Sequence, residues 1–205
     1  MRVFRRSLLA VAAVPFLPAI ASAQTAAADD PRLADRFLGS ESAPVTVAEH
    51  FSLTCSHCAE FHRNTMPRVK KELIEPGKVR MKFVDFPLDQ LALRAAMIAR
   101  SLPAERYEPF VGTLLSTQDR WAFNRAADPK EELAKLALLA GLSREAFDAA
   151  WADEAFARGL LERQLAAEKQ FNVNSTPTFV VNGKATPGTI SFDRFAELVA
   201  AATPS

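Results

Sequence analysis

Glu49-His50-Phe51-Ser52-Leu53-Thr54-Cys55-Ser56-His57-Cys58-Ala59-Glu60-Phe61-His62 holds both cysteines and all three histidines of the 205-residue chain. Immediately upstream, Pro44 to Phe51 alternates in character. Val45, Val47, Glu49 and Phe51 fall on one face; Thr46, Ala48 and His50 fall on the other, which is the period of a strand. Glu49 is the odd member, a carboxylate in line with three apolar side chains. From Cys58 onward, Phe61, Thr65, Val69 and Leu73 recur at helical spacing as far as Glu75. Pro67 lies inside that pattern and should kink the helix, since it removes a backbone donor and crowds the preceding turn. Pro76-Gly77 ends it. The cysteines therefore sit where a strand hands over to a helix.

A single C-x-x-C serves metal sites, structural bridges and redox centres alike. Five metal-capable groups crowd this junction: His50, Cys55, His57, Cys58 and His62. Structural zinc usually draws its ligands from two separated segments, and no second Cys/His pair exists here, so no metal is expected. A purely structural bridge between residues three apart closes a very small ring and removes little chain entropy. A redox centre accounts for the position. Free N–H groups and the positive end of the helix dipole favour a thiolate at Cys55, and a protonated His57 would add to this. Cys58, inside the first turn on the apolar face, becomes the resolving thiol. Glu49, on the face leading to Cys55, is placed to accept a proton from Cys58 through water, or to pair with a base such as Lys82. His50 and His62 read as ordinary packed or surface histidines.

The N-terminus sets the compartment. Arg2, Arg5 and Arg6 precede an apolar run from Leu8 to Ile20, interrupted by Pro15 and Pro18 and closed by Ala21-Ser22-Ala23. A spanning helix needs roughly 20 apolar residues. The run is shorter, so residues 1–23 read as a cleavable secretory signal, with Arg5-Arg6 compatible with the twin-arginine route. The whole chain carries 25 basic and 24 acidic side chains; without the three signal arginines the count is 22 against 24. With no basic stripe interleaved with aromatics, nucleic-acid binding is not expected. Export to the periplasm would put both cysteines where disulfides persist.

Beyond the junction, residues 24–40 form a polar lead-in whose patch at Leu33, Phe37 and Leu38 is expected to dock at one edge. Val79 to Phe86 reads as a second strand. Residues 88–169 are rich in Ala, Leu, Glu and Arg with helical periodicity and no strand. Met97, Phe110, Trp121 and Phe123 read as core of that block, with the lining of a substrate groove as the alternative. A strand from Thr178 to Val181, a tight hairpin at Asn182-Gly183, a partner strand at Lys184 to Thr186 and a helix capped by Ser191 complete the chain. The fold class is α/β, a layered sheet over residues 41–205 interrupted by an all-helical insertion.

The segment Glu49 to Cys58, with its proline-kinked helix, resembles the active-site segment of the DsbA-like thiol:disulfide oxidoreductases. Val173-Asn174-Ser175-Thr176-Pro177-Thr178-Phe179-Val180-Val181-Asn182-Gly183 is similar to the same family's cis-proline loop and hairpin. The resemblance implies a thioredoxin fold with a helical insertion, a cis Thr176-Pro177 bond beside the Cys55–Cys58 redox disulfide, and substrate chains received at Thr176 and Pro177. It implies no cofactor. Its implied partners are reduced or unfolded secreted proteins and a quinone-linked membrane reoxidant of the DsbB type. Strong oxidants of the family carry valine before the cis-proline and proline after the first cysteine. Here Thr176 and Ser56 stand in those places, and threonine also occurs in disulfide isomerases and reductases, kept reduced by a membrane donor. With only residues 24–43 before the first strand, a monomer is expected rather than a dimeric isomerase. Expression in an exporting host should yield a chain beginning at Gln24, which mass spectrometry of the secreted product checks.

Overall fold

The computed structural model describes residues 30–204. The expected signal segment and the start of the lead-in lie outside the described residues. Five strands form one sheet in the order β1-β3-β2-β4-β5. They are β1 (Arg36–Leu38), β2 (Val45–Phe51), β3 (Val79–Asp85), β4 (Thr178–Val181) and β5 (Lys184–Pro187). β2 and β3 are parallel; β1 runs antiparallel to β3, β4 to β2, and β5 to β4. The parallel pair requires a crossover. It is made by α1 (Ser56–Asn64) and α2 (Met66–Val69), which continues into a π-helical turn at Lys70–Ile74.

The expected kink is a break. α1 ends at Asn64, Thr65 caps it, and Pro67 opens the next helix at a position where its missing N–H costs nothing. The Thr65 hydroxyl donates to the Ile190 carbonyl at 3.2 Å and ties the break to the C-terminal segment. α1 also begins at Ser56, two residues before the expected start. Alternation in β3 buries Val79, Met81, Phe83 and Asp85, matching the buried Val45, Val47, Glu49 and Phe51 of β2. In the hairpin, Asn182 and Gly183 both take positive φ, 48° and 76°.

Between β3 and β4 lie α3 (Gln90–Arg100), α4 (Ala104–Ser116), α5 (Gln118–Trp121), α6 (Pro129–Leu139), α7 (Arg144–Trp151) and α8 (Glu154–Phe171); α9 (Phe192–Ala202) closes the chain. None of the helices among the described residues is long and apolar enough to cross a membrane. Met97, Phe110 and Trp121 are core residues. Phe123 is not: it is 54% exposed, because α5 stops two residues earlier and the chain turns outward.

The lead-in docks as expected, and more firmly than its composition suggested. Part of it is a strand, β1. Leu33 packs so closely on α8 that a Cβ at Gly159 would stand 2.6 Å from it. Arg100 gathers this edge: its guanidinium bonds the Arg32 and Ala34 carbonyls at 2.8 and 2.9 Å and pairs with buried Asp85, which also accepts from the Tyr107 hydroxyl at 3.1 Å.

On the outer face of the sheet, His50 is buried with both ring nitrogens unpartnered. It stands edge-on to Phe86 and Phe171 at 6.4 and 6.2 Å. Burial, with the charge of Lys82 second, pushes its pKa from 6.5 down to about 4. The unfolded chain therefore takes up a proton at pH 6.5 that the folded chain refuses until about pH 4. Stability is full above pH 6.5 and falls by about 3 kcal/mol on acidification to pH 4. Denaturant unfolding across that window should show the loss in the native sequence and a flattened profile in His50→Phe.

Candidate active site

β2 ends at Phe51, and Ser52 turns the chain: its carbonyl accepts the Cys55 N–H at 3.1 Å. Cys55 is the N-cap of α1, with extended backbone angles, and its sulfur accepts the Cys58 N–H at 3.2 Å. A sulfur here does what Ser or Asp does at other caps, satisfying an orphan donor of the first turn. Both cysteines are free thiols. Cys55 retains 7% exposure and Cys58 none, so an incoming group meets Cys55 first.

Three distant segments hold this junction. Gln118, the first residue of α5, donates its side-chain amide to the carbonyls of Leu53 and Cys55 at 2.8 and 3.0 Å. The Thr189 hydroxyl reaches the His57 carbonyl at 3.3 Å. The loop before β4 supplies the opposite wall: the Cys55 thiol donates to the Thr176 carbonyl at 3.4 Å, and the Thr176–Pro177 bond is cis. The Thr176 hydroxyl is buried and has no hydrogen-bond partner. Pro177 is buried, and its carbonyl accepts the Gly188 N–H at 2.8 Å.

This geometry separates the two sulfurs chemically. A hydrogen bond from the Cys58 thiol does most to lower the Cys55 pKa, against the opposing cost of burial. The Thr176 side chain and the backbone N–H groups of Cys58 and His57 add to it, bringing Cys55 from 9.0 to about 6. Burial pushes the Cys58 thiol far up, and the charges of Cys55 and then Glu49 push it further.

The structure brings together Cys55, Ser56, His57, Cys58, Thr176 and Pro177, but not with all the expected contacts. The His57 imidazole is 70% exposed and lies 3.5 Å from Glu60. What reaches Cys55 is the backbone N–H of His57, not its ring. Ser56 is exposed at the first position of α1. Glu49 is fully buried, but Lys82 is not its partner: Lys82 lies on the other face of β3 and binds Asp35 at 2.6 Å. His62 pairs with Glu49 instead, its Nε2 standing 3.0 Å from both carboxylate oxygens. His62 is thus not a bystander. Its i+4 spacing from Cys58 was the one signal in the sequence that could have placed it. Gln118 left no comparable signal. Among the described residues, no three His, Cys, Asp or Glu side chains are arranged to hold a metal ion.

Comparison with known proteins agrees with this geometry. A thioredoxin family model matches residues 32–201. A Rickettsia typhi relative named for protein-disulfide oxidoreductase activity is 30% identical over 153 residues, 74% of this chain and 56% of that protein. Disulfide bond formation protein D of Bacillus subtilis is 25% identical over 169 residues, covering 79% and 74% of the two chains. The crystal structure of Wolbachia pipientis alpha-DsbA1 matches with a TM-score of 0.76 at 28% identity, over 82% of this chain and 90% of that one. The chain belongs to the DsbA-like family of thioredoxin-fold proteins. It spans little more than half the length of its rickettsial relatives, 56–59%.

Alkylation of the reduced protein by iodoacetamide should show one reactive thiol, Cys55, whose rate rises with a midpoint near pH 6. Thr176→Val should move that midpoint upward by removing the hydroxyl, whereas His57→Ala should leave it nearly in place. A larger shift in the histidine variant would refute the assignment to backbone N–H groups.

Proposed function

We propose that the chain is an exported thiol:disulfide oxidoreductase that introduces disulfide bonds into secreted or periplasmic proteins through Cys55 and Cys58. The observation that carries this reading is the chemical division of the pair: an accessible sulfur with a lowered pKa at a helix N-cap, backed by a buried sulfur with a raised one. Stabilising the Cys55 thiolate stabilises the reduced form of the protein, and so makes its disulfide the stronger oxidant. A substrate thiolate attacks Cys55, forms a mixed disulfide there, and is released by a second substrate thiol.

In this reading Thr176 and Pro177 receive the substrate chain beside Cys55, with strand-like pairing as the mode. Leu88 and Phe123, each 54% exposed, offer apolar contact to an unfolded chain. Leu88 is joined to the site through Ser52, whose hydroxyl accepts the Leu88 N–H at 3.4 Å. Phe123 is joined through Gln118, whose carbonyl accepts its N–H at 3.0 Å. A quinone-linked membrane partner of the DsbB type would reoxidise the pair, the protein acting as a monomer whose residues 1–23 direct its export.

Thr176 before the proline favours a second reading, a periplasmic reductase or isomerase of the same fold kept reduced by a membrane electron donor. Equilibration with glutathione separates the two. An oxidase should have a potential well above the roughly −270 mV of thioredoxin, and should transfer its disulfide to a reduced, unfolded protein. Cys55→Ser should abolish transfer, and Cys58→Ser should trap the mixed disulfide. A thioredoxin-like potential with a reduced pair in intact cells would sink the oxidase assignment.

A further inference from the structure

The outer face of the sheet carries a cavity of about 310 Å³, bordered by β2 and β3 on one side and α8 on the other. That volume falls at the lower end of the range for small-molecule sites, roughly 300–1,000 Å³. Ala48, Leu160 and Phe171 give it apolar walls, and its polar groups fall into two sets.

The first set is His50. It is 1% exposed, and among the described residues neither ring nitrogen has a hydrogen-bond partner. Leaving such groups unpaired in the interior is costly. With a pKa of about 4 the ring is neutral at physiological pH, so it offers one N–H and one lone pair. The second set is Lys82 and Arg163, both partly exposed and both bound to Asp35. Two cations sharing one carboxylate leave a positive charge over. Arg100 and Asp85 also border the cavity, but they pair with each other. The balance favours an anion.

Register fixes the spacing of the two sets. Ala48 lies opposite Lys82 and His50 opposite Val84, so His50 and Lys82 are diagonal neighbours on one face. Strands about 4.8 Å apart with a rise of about 3.3 Å per residue set their backbones about 8 Å from each other. The Phe171 ring stands edge-on to the imidazole at 6.2 Å, which provides an aromatic surface beside it.

We propose that this cavity binds a small aromatic carboxylate bearing a hydroxyl at the end opposite its acid group. Lys82 and Arg163 hold the carboxylate, the aromatic body packs between the sheet and α8, and the hydroxyl donates to the unprotonated nitrogen of His50. Phe171 is the last residue of α8, followed by Asn172 in the left-handed region at φ 52°. Its ring swings outward at this helix end to uncover the imidazole as the ligand enters. Neither cysteine, nor Thr176 or Pro177, lines the cavity, so the site is separate from the dithiol-exchange reading above.

The test is calorimetric titration of the purified protein with 4-hydroxyphenylacetate, which should bind saturably at one site. 4-Hydroxyphenylacetamide lacks the charge and phenylacetate lacks the hydroxyl. Each should bind at least about tenfold more weakly, the scale of one lost polar contact. Arg163→Gln leaves Lys82 neutralised by Asp35 and should abolish the preference for the acid over the amide. His50→Phe should abolish the preference for the hydroxylated acid over phenylacetate. Saturating 4-hydroxyphenylacetate should leave the rate of Cys55 alkylation unchanged. Absence of saturable binding up to millimolar concentrations overturns the proposal, and so do preferences that survive both substitutions. Protection of Cys55 from alkylation would place the compound beside the redox pair and overturns it equally.

Discussion

One hydrogen bond organises this molecule's chemistry: the N–H of Cys58 donated to the sulfur of Cys55 at the start of α1. A helix that begins directly after a buried strand leaves orphan N–H groups at its first turn, and they must be satisfied. Here a sulfur satisfies one of them. The same bond that caps the helix makes the sulfur a better anion, so a local folding requirement and a reactivity requirement meet in one atom. Much of the remaining structure holds that junction in place. β2 delivers it, the break at Thr65 lets α1 stop and its continuation turn away, and Gln118 fastens the two carbonyls that precede α1.

The sheet keeps its two faces electrically separate. On the inner face, Glu49 and His62 form a buried pair below the cysteines, surrounded by phenylalanine rings. On the outer face, Lys82 binds Asp35, and His50 remains neutral among aromatics. At the β1 edge, the buried Arg100–Asp85 pair draws in carbonyls of the lead-in segment. Removing one partner of such a pair strands a charge, which typically costs several kcal/mol. These pairs therefore fix which segments lie together, whatever their net contribution to stability.

Much of the fold could be read from the sequence, because the signals were local. Alternation marked β2 and β3, helical spacing marked α1, and Asn182-Gly183 marked the hairpin. The misses share a cause. β1 has only three residues, too few for a period to show, and becomes a strand because β3 offers it an open edge. Phe123 looked like core because aromatic residues in helical blocks usually are, yet α5 is a single turn that ends before it. His62 looked ordinary because its partner lies 13 residues away on another element.

The sequence by itself determined the strand-to-helix junction, the order of the two cysteines along it and the placement of a carboxylate on the inner face, since each depends on residues close in the chain. Tertiary structure alone decided what that carboxylate meets. Strand periodicity says which way Glu49 points, but not which helix covers it. Lys82 was the named candidate and His62 read as an ordinary histidine, but the crossover put α1 over one face and left Lys82 on the other. Tertiary structure likewise decided how the two sulfurs diverge. That divergence depends on the depth of Cys58, on the loop carrying Thr176 and on the charge of Glu49, contacts that no stretch of local sequence contains.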